Sequence, residues 1–260
     1  MNIDLLKNIV REASALMLTD TFDITQKGGV ENIVTSSDVA VQNFLCKRLA
    51  ESMPGCGFLC EEEDMQDLSH EYIWIIDPID GTANYARGIA QCAICVGLYH
   101  YGKMEMSVVF LPRTGEMFWA EKGKGAWLGD KRISVSGRPF SNSVLSTALP
   151  VYHKEYTKVC SDIITEAFVH INDVRRFGAA APELCYLAMG RTELYFELLL
   201  SPWDFAAASL IVEEAGGCLC RPDGELLDFT KSSGVVAANS VENLDFMSKI
   251  TRKHTKFCDL

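Results

Sequence analysis

The stretch Trp74-Ile75-Ile76-Asp77-Pro78-Ile79-Asp80-Gly81-Thr82 constrains this chain more than any other. The apolar, β-branched run from Tyr72 to Ile76 predicts a buried strand. It stops at Asp-Pro, where Pro78 fixes its own φ and drives Asp77 toward an extended conformation. The strand therefore delivers two carboxylates, three residues apart, to its end. Such an end is a poor way to fill a core. Two readings account for it. One is an Asx-Pro turn closed by Gly81, a common punctuation. The other is a seat for a hard divalent cation, because Mg2+ takes carboxylate and carbonyl oxygens at short, near-octahedral range. Gly81 then lets backbone come close to a ligand, and the N–H groups after it can face an anion.

A second stretch, Pro202-Trp203-Asp204-Phe205-Ala206-Ala207-Ala208, opens an alanine-rich helical run with a lone carboxylate. By itself Asp204 is an N-cap or first-turn residue stabilised by the helix dipole. The run continues to Glu214-Ala215-Gly216-Gly217. Together these stretches closely resemble the inositol monophosphatase family of Mg2+-dependent, lithium-sensitive sugar phosphatases. That family carries W-x-[IV]-D-P-[IL]-D-G-T and, later, W-D-x-A followed by E-A-G-G. The resemblance runs from about Leu5 to Asn239. It implies an α/β, α+β layered fold, the α-β-α-β-α sandwich of the inositol monophosphatase and fructose-1,6-bisphosphatase type, and usually a homodimer.

Charge narrows the partners. Lys+Arg 24 against Asp+Glu 35 gives −11, and the pI of about 4.9 argues against direct nucleic-acid binding, which needs a basic footprint. The same acidity repels a phosphate ester unless cations intervene, so a phosphatase reading requires bound metal. No apolar run reaches the ~18–20 residues that span a bilayer, and the start Met1-Asn2-Ile3-Asp4 lacks a basic region and an apolar core for a signal peptide. The 10 cysteines are scattered, several of them in apolar runs. Cys92-Ala93-Ile94-Cys95 lies inside a strand-like segment rather than opening a helix, so it reads as core. Reduced thiols in the cytoplasm are the simplest account.

In chain order, helical spacing predicts a helix over 3–20, and the polar segment from Asp20 to Glu31 a loop. A second helix follows Thr35-Ser36-Ser37-Asp38, a capping-box-like start, and ends near Pro54-Gly55. Phe58-Leu59-Cys60 predicts a strand running into the acidic run Glu61-Glu62-Glu63-Asp64, which on its own is a solvated face. Segments 91–100, 104–110, 116–120 and 125–128 predict an antiparallel meander joined by turns. The second half alternates: strand 144–149, helix 154–168, a loop at Arg175-Arg176-Phe177-Gly178, helix 180–189, strand 193–198, helix 203–215, strand 218–220, strand 235–238 and a last helix from Val241. No linker separates the halves, so one domain holding two sheets, divided near residue 140, is expected.

The resemblance then assigns roles. It implies two or three Mg2+ ions, held by Glu61, Asp77, the Ile79 carbonyl, Asp80 and Asp204. One ion, on Glu61, Asp77 and Ile79, lowers the pKa of a bound water; another, on Asp77, Asp80 and Asp204, stabilises the leaving alkoxide. Asp38 and Thr82 orient that water, and the Gly81 and Thr82 N–H groups hold phosphate oxygens. Glu61 takes its role when Phe58-Leu59-Cys60 is set on the family's apolar-apolar-Gly, with Glu62 one register away. Glu197, seven residues before Asp204, stands where the family places a Glu that accepts from sugar or inositol hydroxyls; an exposed strand residue is the plain alternative. Ala179 and Ala180, after Gly178, match the small-residue turn lining the substrate pocket. The family's usual Glu four residues after Asp38 is Gln42 here, a departure expected to touch helix or interface polarity more than chemistry. Arg175 and Arg176 are expected at the surface, able to meet a second anionic group or a partner subunit. The expected activity is hydrolysis of inositol monophosphate or a similar polyol phosphate. Histidinol phosphate, fructose 1,6-bisphosphate and 3′-phosphonucleotides are the alternatives within the fold, and a non-catalytic regulatory or binding protein is the rival of another class.

Overall fold

The computed structural model describes residues 1–18, 22–29, 32–62 and 66–255. Its order is α1 (Ile3–Ser14), β1 (Ile24–Gly29), β2 (Asn32–Thr35), α2 (Ser36–Ser52), β3 (Gly57–Cys60), β4 (Tyr72–Asp80), α3 (Thr82–Ala86), β5 (Ala93–His100), β6 (Lys103–Leu111), β7 (Glu116–Glu121), β8 (Ala126–Leu128) and β9 (Lys131–Ile133). Then come β10 (Val144–Thr147), α4 (Thr157–Phe168), β11 (Asp173–Arg175), α5 (Ala180–Ala188), β12 (Leu194–Leu200), α6 (Pro202–Glu214), β13 (Cys218–Cys220), β14 (Ser233–Ala238) and α7 (Val241–Thr255).

The larger sheet runs β3-β4-β5-β6-β7-β8-β9, parallel at its first pair and an antiparallel meander from β4 onward. Alternation sets its two faces. Trp74, Ile76, Ile94, Val96 and Val108 point to one side and pack on Leu6, Ile9, Val41 and Leu45 of α1 and α2. Ile73, Ile75, Ala93, Cys95 and Val109 point to the other and pack on α5 and α6. The smaller sheet, β11-β10-β12-β14-β13, covers the far side of α5 and α6 with Tyr195, Val235 and Ala237. Its opposite face, including Phe196 and Val236, meets Cys160 and Ile163 of α4 and Met247 and Ile250 of α7. The stack is therefore α-β-α-β-α, as expected.

Position in the stack explains helix composition. A helix with one covered side needs one apolar stripe, as α1 has; a helix between two sheets must be apolar all round. All nine residues of α5 are buried, and so is the run Phe205–Val212 of α6. The alanines of α6 also permit close approach: a Cβ on Gly97 of β5 would stand 3.4 Å from the Cα of Ala207.

Three expectations need correction. The first helix ends at Ser14, and residues 15–18 are turn, not helix. The segment expected as a loop contains β1, paired antiparallel with β2 (Thr25 opposite Val34); its glycines and polar residues hid a strand whose Ile24, Thr25 and Gln26 are exposed. Arg175 closes a short strand, β11, beside β10. The strand β9 was not anticipated either, being three residues long with two of them charged. No helix among the described residues is long and apolar enough to cross a membrane.

Candidate active site

The two stretches singled out by sequence meet. One carboxylate oxygen from each of Asp77, Asp80 and Asp204 lies within 4.8 Å of the other two. Each acid is placed by a different local device. Asp77 still pairs with Cys95 across the ladder, but the register slips before Asp80 meets Ala93, so the Asp-Pro corner forms a bulge. Within that bulge Asp77 Oδ1 accepts the Ile79 N–H at 2.9 Å, the Asx turn read from sequence. Asp80 faces the start of α5, whose Ala180 and Ala181 N–H groups donate to its Oδ1 (3.3 Å) and Oδ2 (2.6 Å). Asp204 is the third residue of α6, and its Oδ2 accepts the Ser201 N–H at 2.7 Å. The turn and cap readings of Asp77 and Asp204 hold together with the clustering, because each accepts a backbone N–H on one oxygen, whereas Asp80 accepts one on each of its two oxygens.

The cluster is costly as it stands. Asp77 is 1% and Asp80 7% exposed. Burial, and then the charges of Glu61, Asp80 and Asp204, hold the Asp77 carboxyl well above its usual range. Burial pushes Asp80 up to about 7 against the pull of the two α5 N–H groups, and burial with the charge of Asp80 pushes Asp204 up to about 7. A cation among these oxygens removes both penalties at once, and an all-oxygen, dicarboxylate-rich donor set is the kind Mg2+ prefers.

Around this centre the structure places the other expected residues. The Glu61 carboxyl hydrogen-bonds that of Asp77, whereas Glu62 lies toward Asp38, whose carboxyl it repels. Glu63 and Asp64 lie outside the described residues. Asp38 does two things at once: its Oδ2 accepts from the Thr35 N–H (2.8 Å) and Oγ1 (2.5 Å), capping α2, and its Oδ1 accepts from Thr82 Oγ1 at 3.1 Å. The Ile79 carbonyl also accepts from Thr82 Oγ1, at 3.0 Å. Gly81 has φ +84°, and a Cβ there would stand 2.9 Å from that of Ala179 and 3.0 Å from the Gln91 carbonyl, so glycine is required where α3 departs. Ala179 and Ala180 are nearly buried beside it. Glu197, on β12 at a second bulge, feels the charges of Glu183, Asp204 and Asp80; burial foremost holds its carboxyl well above the usual range. Arg175 pairs instead with Asp173 at 2.5 Å and lines, with Phe177, Tyr186 and Arg191, a cavity of about 360 Å3.

Sequence reasoning missed three residues here. Glu183 Oε1 accepts the Phe177 and Gly178 N–H groups (2.8 and 2.9 Å) and so holds the loop before Ala179. Asn84 Nδ2 ties α3 to that loop through the Phe177 carbonyl (2.8 Å) and to the Gln91 carbonyl (2.7 Å). Tyr152, in the segment after β10, feels Glu61, Asp204, Asp77 and Asp80; partial burial and these charges push its phenol up to about 12. An acid one turn inside a helix preceded by Gly was a readable sign for Glu183; the other two carry no local pattern.

A five-layer α/β sandwich that gathers buried carboxylates from one strand end and one helix start defines the class, a layered fold with a candidate metal seat between its sheets. Within it, residues 3–256 match the model of the inositol monophosphatase family, and the chain belongs to that family. It is 36% identical over 229 residues to the Nus factor SuhB of Vibrio cholerae serotype O1, covering 87% of this chain and 85% of that protein. It is 32% identical over 241 residues to the inositol-1-monophosphatase of Caulobacter vibrioides, covering 88% and 93%. The extragenic suppressor protein suhB of Bartonella henselae superposes with a TM-score of 0.89 at 29% identity, over 96% of this chain and 98% of that one.

Proposed function

We propose that the chain is a Mg2+-dependent phosphomonoesterase acting on inositol monophosphate or a similar polyol or sugar phosphate. The observation that carries this reading is the convergence of Asp77, Asp80 and Asp204, with Glu61 hydrogen-bonded to the first of them. Such a cluster repels a phosphate ester in the absence of cations. In this reading Glu61, Asp77, the Ile79 carbonyl, Asp80 and Asp204 hold two or three Mg2+ ions. When bound, they supply positive charge that draws in the phosphate and makes water a usable nucleophile at neutral pH.

The chain's own groups then do the rest. Thr82 Oγ1 donates toward Asp38 and the Ile79 carbonyl, which leaves its lone pairs to accept a proton from a water on the open side. Asp38, fully buried and with its carboxyl raised by that burial, is the base to which a proton passes through Thr82. The Gly81 and Thr82 N–H groups meet phosphate oxygens. Glu197 accepts from substrate hydroxyls, and the small side chains of Ala179 and Ala180 leave room for the ring. The reading includes a homodimer in the reducing cytoplasm, which light scattering of the full chain checks.

Phosphate release is measured on inositol 1-phosphate, histidinol phosphate, fructose 1,6-bisphosphate and 3′-phosphoadenosine 5′-phosphate, with Mg2+ and with chelator. Turnover that needs Mg2+ and disappears in Asp77→Asn supports the reading, and the preferred ester names the substrate class. A second reading is favoured by the name of the Vibrio relative, a Nus factor: a protein that binds transcription machinery on this fold. Mg2+ binding without turnover on any ester moves that reading to the front.

A further inference from the structure

Gln42 lies one helical turn after Asp38 on α2 and faces the same way. It is 1% exposed. Its Nε2 donates to the Glu62 carbonyl at 2.8 Å, and its Oε1 accepts the Glu62 N–H at 2.9 Å. One side chain thus satisfies both backbone groups of a residue two places beyond the end of β3. The ladder with β4 closes at Cys60 opposite Ile76. Glu61 is therefore fixed on its N-terminal side by the sheet and on its C-terminal side by Gln42.

We propose that Gln42 is a positioning residue that sets the Glu61 carboxyl over the Asp77 corner and thereby sets the cation affinity of the site. This rests on the reading of that corner as a Mg2+ seat. The amide is the side chain the geometry demands, with one donor for the carbonyl and one acceptor for the N–H. An ionised Glu at position 42 matches the N–H, faces the carbonyl with a second acceptor, and adds charge beside Glu62 and Asp38. On this proposal the departure from the family's Glu bears on the cation site as well as on helix polarity. Supporting groups of this kind typically change metal affinity about 10–100-fold.

The test is calorimetric titration of the full chain with Mg2+, without substrate, for wild type, Gln42→Met and Gln42→Glu. Asn239→Leu serves as a control, because Asn239 also bridges backbone carbonyls, those of Ser136 and Arg138, and follows Ala238, which pairs with Leu194 at the opposite end of β12 from Asp204. Both Gln42 variants are expected to bind Mg2+ about 10-fold or more weakly, while Asn239→Leu lowers the melting temperature and leaves affinity alone. In turnover assays the Mg2+ concentration for half-activation rises in step, and kcat at saturating Mg2+ stays within about threefold of wild type. Wild-type affinity in either Gln42 variant overturns the proposal. A kcat loss that saturating Mg2+ does not restore also overturns it. Wild type that binds Mg2+ but hydrolyses nothing sinks the phosphatase reading and leaves the calorimetric comparison intact. Wild type that binds no Mg2+ overturns the cation seat, and the positioning role with it.

Discussion

The two acidic regions of the site are built differently. Asp77, Asp80 and Asp204 hang on a strand bulge and two helix starts, and each accepts backbone N–H groups, one for Asp77, one for Asp204 and two for Asp80. Their positions are a by-product of packing the larger sheet against α5 and α6. The run Glu61–Glu62 leaves the sheet edge, where the ladder ends, and Gln42 reaches it from α2. The first region is placed by the core and carries its electrostatic strain with it. The second is placed by a side chain and can be adjusted without disturbing the core. Binding strength therefore lies with the first region and its tuning with the second.

The largest effect expected is at Asp77. Asp77→Asn keeps an Oδ1 for the Ile79 N–H, so the corner survives, but the cluster loses its most strained charge. Turnover should fall on the order of 10³-fold or more. In chelator the same variant should be more stable than wild type, by about 1–3 kcal/mol, because a repelled buried carboxylate becomes neutral. Activity assays and thermal melts of one preparation check both. A destabilised Asp77→Asn would mean the core does not carry this region as described.

Glu61→Gln should cost less, about 10–100-fold in Mg2+ affinity, because three carboxylates remain in place. Thermal stability in chelator should rise less than in Asp77→Asn, since Glu61 is only one of the charges that strain Asp77. Titration of turnover against Mg2+ is the measurement, and a loss equal to that of Asp77→Asn would erase the difference between the two regions.

The same contrast governs what the sequence made legible. The Trp74–Thr82 and Pro202–Ala208 stretches were readable because the same residues serve local structure and site: Asp-Pro makes the turn, Gly81 is forced by its φ and neighbours, and Asp204 caps a helix. The β/α alternation of the second half indicated a layered α/β domain, and the order of the layers came from the family resemblance. What could not be read depends on contacts distant in sequence. Gln42 meets Glu62 20 residues away, and Asn84 meets Phe177 93 away. No local spacing announces either. The β1–β2 hairpin was lost for the opposite reason, since Ile24, Thr25 and Gln26 are all exposed and impose no alternation.

A smaller, pH-dependent effect follows from the strained region. Burial pushes Asp80 and Asp204 up to about 7 from an ordinary 3.8, and burial with the neighbouring charges holds Asp77 well above its usual range. Between about pH 4 and 7 the folded, metal-free chain holds protons that the unfolded chain has released. The unfolded state binds fewer protons there, so stability falls as pH rises through this window. The melting temperature in chelator should drop by several degrees from pH 5.5 to pH 8. Asp80→Asn should flatten the slope, and saturating Mg2+ should raise the pH 8 value most. A melting temperature that climbs over this range would contradict the burial assigned to the three acids.

The smallest effect separates neighbours. Glu62 adjoins Glu61 in an acidic run, yet its side chain lies toward Asp38 and its backbone is the part that Gln42 holds. Glu62→Gln leaves both backbone bonds in place and removes a charge that raises the Asp38 carboxyl. Mg2+ affinity should therefore change less than about threefold, within the usual range for a side chain outside the coordinating set. The acidic limb of the pH–rate profile should shift downward, since Asp38 titrates at lower pH once the repulsion is gone. If Glu62→Gln weakens Mg2+ as much as Glu61→Gln does, the register of the acidic run is off by one. Gln42 would then be holding a ligand directly rather than its neighbour.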